Sequence, residues 1–347
     1  MINYYRNISF LILGFITLLI ANPVNAAESG EVGFNIQMIP VENQATTDRS
    51  YFDLRMLPGQ EQTINVRINN TSNEKSTFDI QVNQAYTNEQ GFIDYQDAKE
   101  VEKNTYPVAI SDLLTYEKSV SVNAHASVDV PIMIHMPEKK FDGQMLAGIQ
   151  VNKHQESDKT TQQIINSYGY ILGLKLTETD VSVSRKVELI DVQPEAKFGQ
   201  PSIVATVKNP TMDAIGHLVY EAKIVEKETT KEVFKKKYDA GMELAPNSIY
   251  PFAIEYGKQR LEAGNYTLHL TVSDAKENRW IFDKDFEITI KEANAINQVT
   301  IDQGKEAPFP WIFIVGGIIV IFVLLRFYYW KKKKNSTEEQ SKDTEKE

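Results

Sequence analysis

The chain has 347 residues, 42% of them apolar, with no cysteine, 37 basic against 47 acidic side chains, and a formal net charge of −10. The absence of cysteine excludes a thiol nucleophile, a disulfide framework and cysteine-held metals. The acidic balance disfavours nucleic acid, because such a surface repels phosphate instead of releasing its counterions.

Residues 1–26 read as a secretory signal peptide. Arg6 is the only charge there, an apolar run follows from Ile8 to Ile20, and Val24-Asn25-Ala26 places small residues at the exit. An uncleaved N-terminal anchor is the alternative.

Residues 28–180 read as a first β-sandwich. Apolar residues alternate with polar ones at Ile64, Val66 and Ile68, at Phe78, Ile80 and Val82, from Val128 to Met136, and from Tyr170 to Leu176. A period of two places one apolar row on one face, as a half-buried strand requires. Pro131 interrupts the Val128 run, so an edge position or a bulge is expected there. MPEKKFDGQMLAGIQV, residues 136–151, reads as a strand end, a charged turn and a second strand with Met145, Ala147, Ile149 and Val151 facing inward. Small residues at Ala147 and Gly148 suit a close backbone approach.

After Tyr86 comes a long polar insertion that carries Phe92, Tyr95 and Tyr106 among amides and carboxylates. These three are the candidate ligand contacts, since such rings hold sugars or peptide stems. The alternative is that they tuck back onto the sheet. The first domain has no Trp, which argues against a tryptophan sugar platform.

Residues 181–293 read as a second β-sandwich. Runs at Ile203–Val207, Leu218–Ile224, Tyr250–Ile254, Tyr266–Val272, Trp280–Phe282 and Phe286–Ile290 are separated by Gly, Pro, Asn and Asp turns. Spacing near ten residues marks antiparallel sandwiches. Tyr266, opening a late strand after a Gly turn, resembles the tyrosine corner of immunoglobulin-like domains, and Trp280 is expected to pack into the second core. The fold class expected is all-β, two tandem immunoglobulin-like sandwiches plus one C-terminal transmembrane helix.

Residues 294–310 read as a stalk and 311–330 as the transmembrane helix. No charge occurs from Trp311 to Leu325, and twenty residues at about 1.5 Å each cover a hydrocarbon core of roughly 30 Å. Trp311 at one end and Tyr328, Tyr329 and Trp330 at the other form aromatic belts, and Lys331–Lys334 place residues 331–347 inside as a basic, polar tail. The expected location is therefore the cell membrane, single-pass, with the ectodomain outside facing the wall. The span followed by lysines resembles a cell-wall sorting signal, but the sorting pentapeptide is missing before it. Retention in the membrane is expected.

Charge is uneven: residues 28–184 carry 22 acidic and 12 basic side chains, residues 185–307 carry 20 and 17. The three lysines of FKKKYDAG, at 235–237, suit either an acidic partner or a solvated strand end. None of the five histidines forms a metal-ligand spacing, and no nucleophile elbow, phosphate loop or dinucleotide fingerprint occurs. Asp94 and Asp97 lack the density of a calcium loop. No catalytic residue, cofactor or metal is predicted.

Three segments taken in order resemble one known family. They are YFDLRMLPGQEQTINVRINNTSNEKSTFDIQVNQAYTNEQGFIDY; then MPEKKFDGQMLAGIQV; then MELAPNSIYPFAI with LEAGNYTLHLTV and WIFDKDFEI. With the leader and the C-terminal span, the whole is similar to the WxL-interacting proteins of Gram-positive bacteria. One departure is Ala147 in MLAGI, where two adjacent glycines are the family pattern. The resemblance implies a peptidoglycan-binding domain followed by a host-binding domain. It also implies a non-enzymatic surface adhesion or accessory role, with peptidoglycan, WxL-domain surface proteins and host extracellular-matrix protein as partners. The alternative function is a membrane-tethered assembly chaperone for exported surface proteins, acting by strand-edge pairing. A cysteine-free exported ectodomain agrees with a Gram-positive surface.

Overall fold

The computed structural model describes residues 32–46, 48–96, 109–154, 168–301, 321–328 and 330. The signal segment, Asp97, Tyr106, residues 311–320 of the apolar span and the tail lie outside the described residues. Two compact units form. One holds the described residues up to Tyr86 and from Asp94 to Ser184; the other holds Thr87–Ile93 and the described residues from Arg185 on.

The first stretch of chain forms β1 (Phe34–Met38), β2 (Phe52–Arg55), β3 (Glu61–Asn70), β4 (Ser76–Gln84), β5 (Tyr86–Thr87) and β6 (Ile93–Asp94). A single helical turn α1 (Ile110–Leu113) follows, then β7 (Leu114–Tyr116), β8 (Ser119–Val122), β9 (Ser127–His135), β10 (Gln144–Lys153) and β11 (Gly169–Thr177). The first unit has one sheet in the order β1-β3-β9-β7 and another in the order β2-β11-β10-β4-β8. The alternating apolar rows face each other across the two sheets: Ile64, Val66 and Ile68, Val130, Ile132 and Ile134, Phe78 and Ile80, and Met145, Ala147, Ile149 and Val151 are all buried. Phe34 of the first sheet meets Phe78 of the second, ring centroids 4.8 Å apart.

Pro131 sits in a regular ladder with no bulge, opposite Asn65 of β3. The carbonyl of Asn65 accepts from Ile39 N at 3.1 Å, on its far side. Asn65 and Pro131 therefore form a non-hydrogen-bonded pair, and the proline nitrogen points away from β3. On that side β7 pairs only with residues 132–134 of β9. Pro131 thus lies at the point where β9 becomes an edge, and its missing donor costs no ladder bond.

The second unit is built from β12 (Glu188–Lys197), β13 (Gln200–Lys208), β14 (Ile215–Glu226), β15 (Glu232–Leu244), β16 (Ile249–Glu255), β17 (Gly264–Ser273), β18 (Arg279–Ile288) and helix α2 (Ile290–Thr300). Its sheets run β12-β13-β16 and β15-β14-β17-β18. This order repeats that of the first unit, with β1-β3-β9 matching the three-stranded sheet and β8-β4-β10-β11 the four-stranded one. One buried cluster draws on both sheets, with Ile203, Val207, Phe252 and Ile254 from one and Tyr220, Ile224, Leu268 and Leu270 from the other. Trp280 is half-buried against it, as expected. Tyr266 forms the expected corner: its hydroxyl donates to Glu262 O at 3.1 Å.

The repetition extends to one device. Asn70 ends β3 and Asn209 follows β13, 2% and 0% exposed. Asn70 Nδ2 donates to Glu74 O (2.8 Å) and Val122 O (3.1 Å), and its Oδ1 accepts from Ser72 N and Oγ. Asn209 Nδ2 donates to Asp213 O (2.7 Å) and Ala245 O (2.9 Å), and its Oδ1 accepts from Thr211 N and Oγ1. Each clasp binds a turn that carries one positive-φ residue, His125 in one unit and Asn247 in the other. Their N–H groups donate to Ser72 O and Thr211 O.

Tyr220 is fully buried and stacks on Phe252, centroids 4.5 Å apart. Its hydroxyl is buried without a partner. A buried unpaired hydroxyl costs about 1–3 kcal/mol, so Tyr220→Phe is expected to raise the denaturant midpoint of the second unit by the equivalent of about 1 kcal/mol.

The strand read through to Ile290 stops at Ile288. Thr289 accepts from Glu292 N, and the Glu292 carboxylate accepts from Thr289 N at 2.9 Å, which is a capping box opening α2. Burial of Ala293, Ile296 and Asn297 docks α2, and Asn297 pairs both its amide ends with the backbone of Leu261 at 2.9 Å. The first part of the expected stalk is therefore a packed helix. Residues 321–328 are helical, and among the described residues no helix is long and apolar enough to cross a membrane.

Candidate functional site

The outer face of the five-stranded sheet in the first unit holds the most site-like arrangement there. Register pairs Gly148 of β10 with Gly173 of β11 and with Asn83 of β4, and Gln150 with Gln81 and Ile171. Gln81, Asn83, Gly148, Gln150 and Gly173 lie in the outward phase, because their neighbours in sequence are buried, and Ile171 shares it by alternation with Gly173. Two glycines side by side leave a shallow floor on which two tyrosines lie. A Cβ on Gly148 would meet Tyr95 Cβ at 2.6 Å, and one on Gly173 would meet Tyr51 Cβ at 3.2 Å.

Tyr95 is held there by its neighbours. Asp94 Oδ1 accepts from Tyr95 N and Gln96 N, and Asn83 Nδ2 donates to Tyr95 O (2.9 Å), Gln96 O (3.0 Å) and Gln150 Oε1 (3.2 Å). The Asp94 carboxylate is thus engaged with backbone. The face presents half-buried aromatic edges, the amides of Gln81, Asn83 and Gln150, and Ile171, which is 40% exposed. Such a surface can take hydroxyl and amide groups of a ligand while packing its C–H faces on the rings.

Of the three expected contacts, Tyr95 lies on this face, Phe92 belongs to the second unit and Tyr106 lies outside the described residues. Phe92 follows a tight turn in which Asn88 Oδ1 accepts from Gln90 N and Phe92 N. The sequence assigns this turn to the first domain, but it packs as part of the second unit. Gly91 O accepts from Glu243 N at 2.7 Å, the Thr87 hydroxyl accepts from Ala245 N at 3.0 Å, and Glu89 pairs with Lys197 at 3.0 Å. Gly91, at φ +82, has no room for a Cβ, which would lie 2.9 Å from the Tyr250 hydroxyl. Tyr51, Gly173 and the amide row were not anticipated. Glycines in the outward phase of two strands are the signal that could have found the floor.

The second unit opens at one side, where β15 and β16 end their respective sheets. A cleft of about 320 Å³ lies there, lined by Glu89, Phe198, Lys236, Tyr238, Phe252 and Glu255 among others. Lys236 Nζ lies 4.5 Å from the Tyr238 ring centre and 3.7 Å from Glu255. The Tyr238 hydroxyl accepts from Glu255 N at 3.2 Å. Burial pushes the Tyr238 and Tyr250 hydroxyls above the ordinary tyrosine range, so both stay neutral. Phe198 occupies the two-residue turn between β12 and β13 at φ +51, with Gly199 at φ +71, and is 45% exposed. That turn favours Asn-Gly, and a bulky residue in the left-handed region costs about 1–2 kcal/mol.

The histidines carry no metal constellation. His135 and His269 on strands, and His154 just past the end of β10, each face one carboxylate, of Glu61, Asp283 and Asp79, near the surface. Among the described residues no group of three ligating side chains could hold an ion.

Tandem β-sheet units, each with a polar, aromatic-framed surface, are the build of a modular binding protein. Two family models match in tandem: the WxL Interacting Protein peptidoglycan binding domain over residues 34–153 and the WxL Interacting Protein host binding domain over residues 159–298. The chain belongs to the WxL-interacting protein family, in the domain order expected. No curated protein matches it. Among solved structures, the E. coli chaperone DraB is similar at 15% identity, covering 74% of this chain and 97% of that one with a TM-score of 0.29. The class 5 fimbriae chaperone CfaA is similar at 13% identity, covering 72% and 99% with a TM-score of 0.29. Scores this low transfer neither partner nor function.

Proposed function

We propose that this chain is a non-enzymatic accessory protein of the cell surface that binds peptidoglycan through its first unit and a protein partner through its second. The tandem order of the two family models carries this reading. The partners proposed are secreted WxL-domain proteins and, for the second unit, a host matrix protein. The leader over residues 1–26 and the uncharged run from Trp311 to Leu325 support export and a single membrane anchor with the tail inside. Each unit is read as an immunoglobulin-like sandwich, supported by the repeated strand order and the Tyr266 corner.

The glycine-floored face of the first unit is the proposed wall contact. Sedimentation of the detergent-solubilised full chain with purified sacculi tests it. Replacing both Tyr51 and Tyr95 by alanine is expected to weaken co-sedimentation by about tenfold, the scale of losing aromatic anchors from an interface. A wild-type chain that stays wholly in the supernatant would sink the wall-binding role. An unchanged double variant would move the contact elsewhere.

A further inference from the structure

The three lysines of β15 remain unexplained by wall binding. Lys235 lies directly opposite Lys223 of β14, and Lys223 lies opposite His269 of β17. Like charges facing across a ladder are unfavourable, and Lys235 has no acidic partner among the described residues. Edge lysines alone are a common device against unwanted strand pairing. That device does not account for Lys223, which is on an interior strand opposite Lys235 and has Glu232 at 3.9 Å as its only carboxylate partner among the described residues.

Strand periodicity divides the cluster between two faces. Lys235 and Lys237 lie on the outer face with their register partners Lys223 and Glu221. Lys236 turns the other way, beside Tyr238 and Glu255 in the cleft. At its far end β15 spends one backbone donor on a turn, where Glu243 N donates to Gly91 O at 2.7 Å. No described strand pairs with that side of β15. Phe198, exposed and held in an unfavourable backbone conformation, stands at the cleft. Non-glycine strain of this kind persists where the surroundings hold it, often at ligand clamps.

We infer that the free edge of β15 takes an acidic, extended segment of a protein partner as an added strand, with apolar side chains of that segment entering the cleft beside it. Alternation fixes the pattern sought: carboxylates at every second residue, facing Lys235 and Lys237, with aromatic or aliphatic residues between them, facing Phe198, Tyr238 and Phe252. This rests on the protein-binding role proposed for the second unit and names the chemistry of its partner.

The test uses the full chain in detergent and a fluorescent twelve-residue peptide alternating Glu with Val and Phe, read by anisotropy. Saturable binding is expected, weakened at least about tenfold by the double reversal Lys235→Glu and Lys237→Glu and weakened by high salt. Phe198→Asn, which suits the turn better, is expected to fold normally and also weaken binding. A peptide N-methylated at alternate residues cannot complete the ladder and is expected not to bind. Equal binding of the methylated peptide, or no binding of the parent peptide, would overturn strand addition. Heparin competing as well as the peptide would replace it with a polyanion patch. Sacculus sedimentation of the same preparation reads wall binding separately, so one reading can fail while the other stands.

Discussion

Replacing Arg185 by alanine is expected to lower the stability of the second unit by about 3–5 kcal/mol, the scale of leaving a buried charge uncompensated. Arg185 Nε donates to Asp213 Oδ2 at 3.1 Å, Nη1 to Asp274 Oδ2 at 2.8 Å, and Nη2 to Ala214 O at 3.3 Å. The arginine side chain is 15% exposed and that of Asp274 is 0% exposed, so solvent cannot replace the lost cation. Asp274 also accepts from Lys276 N, Asn278 N and Asn278 Nδ2. The ion cluster therefore ties the start of the unit to two turns. Arg185→Lys keeps the charge but loses the fork, and an intermediate loss is expected.

The same cluster predicts an acid dependence. Burial pushes the Asp274 carboxyl up, but hydrogen bonds from Asn278 and Arg185 outweigh it and hold the group below the usual carboxylate range. A depressed carboxylate stabilises the fold above its unfolded value of about 3.9, and this is lost as pH falls through the folded value. Urea unfolding followed by Trp280 fluorescence should show the midpoint falling below about pH 4. Arg185→Ala should start lower and lose less in that window. A variant midpoint equal to the wild type at neutral pH would refute the role given to the cluster.

Asn209→Ala is expected to cost the second unit about 2–4 kcal/mol. It leaves Asp213 O, Ala245 O and Thr211 N without their side-chain partner at a fully buried position, and each unpaired buried group costs about 1–3 kcal/mol. Asn70→Ala should do the same in the first unit, where Val122 O, Glu74 O and Ser72 N are the stranded groups. Asn209→Asp separates the two halves of the clasp, since a carboxylate still accepts from Thr211 but cannot donate to the carbonyls. Amide exchange at Thr211 and Ser72 is the direct measurement. Protection unchanged in the alanine variants would mean that the turns hold without the clasp.

Strand after strand was legible because a period of two is a local property, set wherever one face is buried and the other wet. Ile64, Val66 and Ile68, and Leu268, Leu270 and Val272, needed nothing beyond their own neighbours. The corner at Tyr266 was legible for the same reason, being closed four residues upstream. Helix α2 was missed although Thr289 and Glu292 spell a capping box, because Ile288 and Ile290 extend the strand rhythm one step too far. Tyr95 was singled out as a contact, but the reason it lies on its sheet, the glycine beneath it, sits fifty-three residues away in sequence.

By itself, the sequence determined that this is an all-β chain of two parts, with the family to which it belongs and that family's order of peptidoglycan binding domain and host binding domain. Those follow from local alternation, turn chemistry and motif order. Only the tertiary structure decided that Thr87–Ile93 belongs with the second unit, that Gly148 and Gly173 share a floor, that Lys235 opposes Lys223, and that both units close on a buried asparagine. Each of these is a pairing between residues distant along the chain. Register, once set by the burial of apolar rows, fixes which polar residues meet on the other face, and no single strand carries that information.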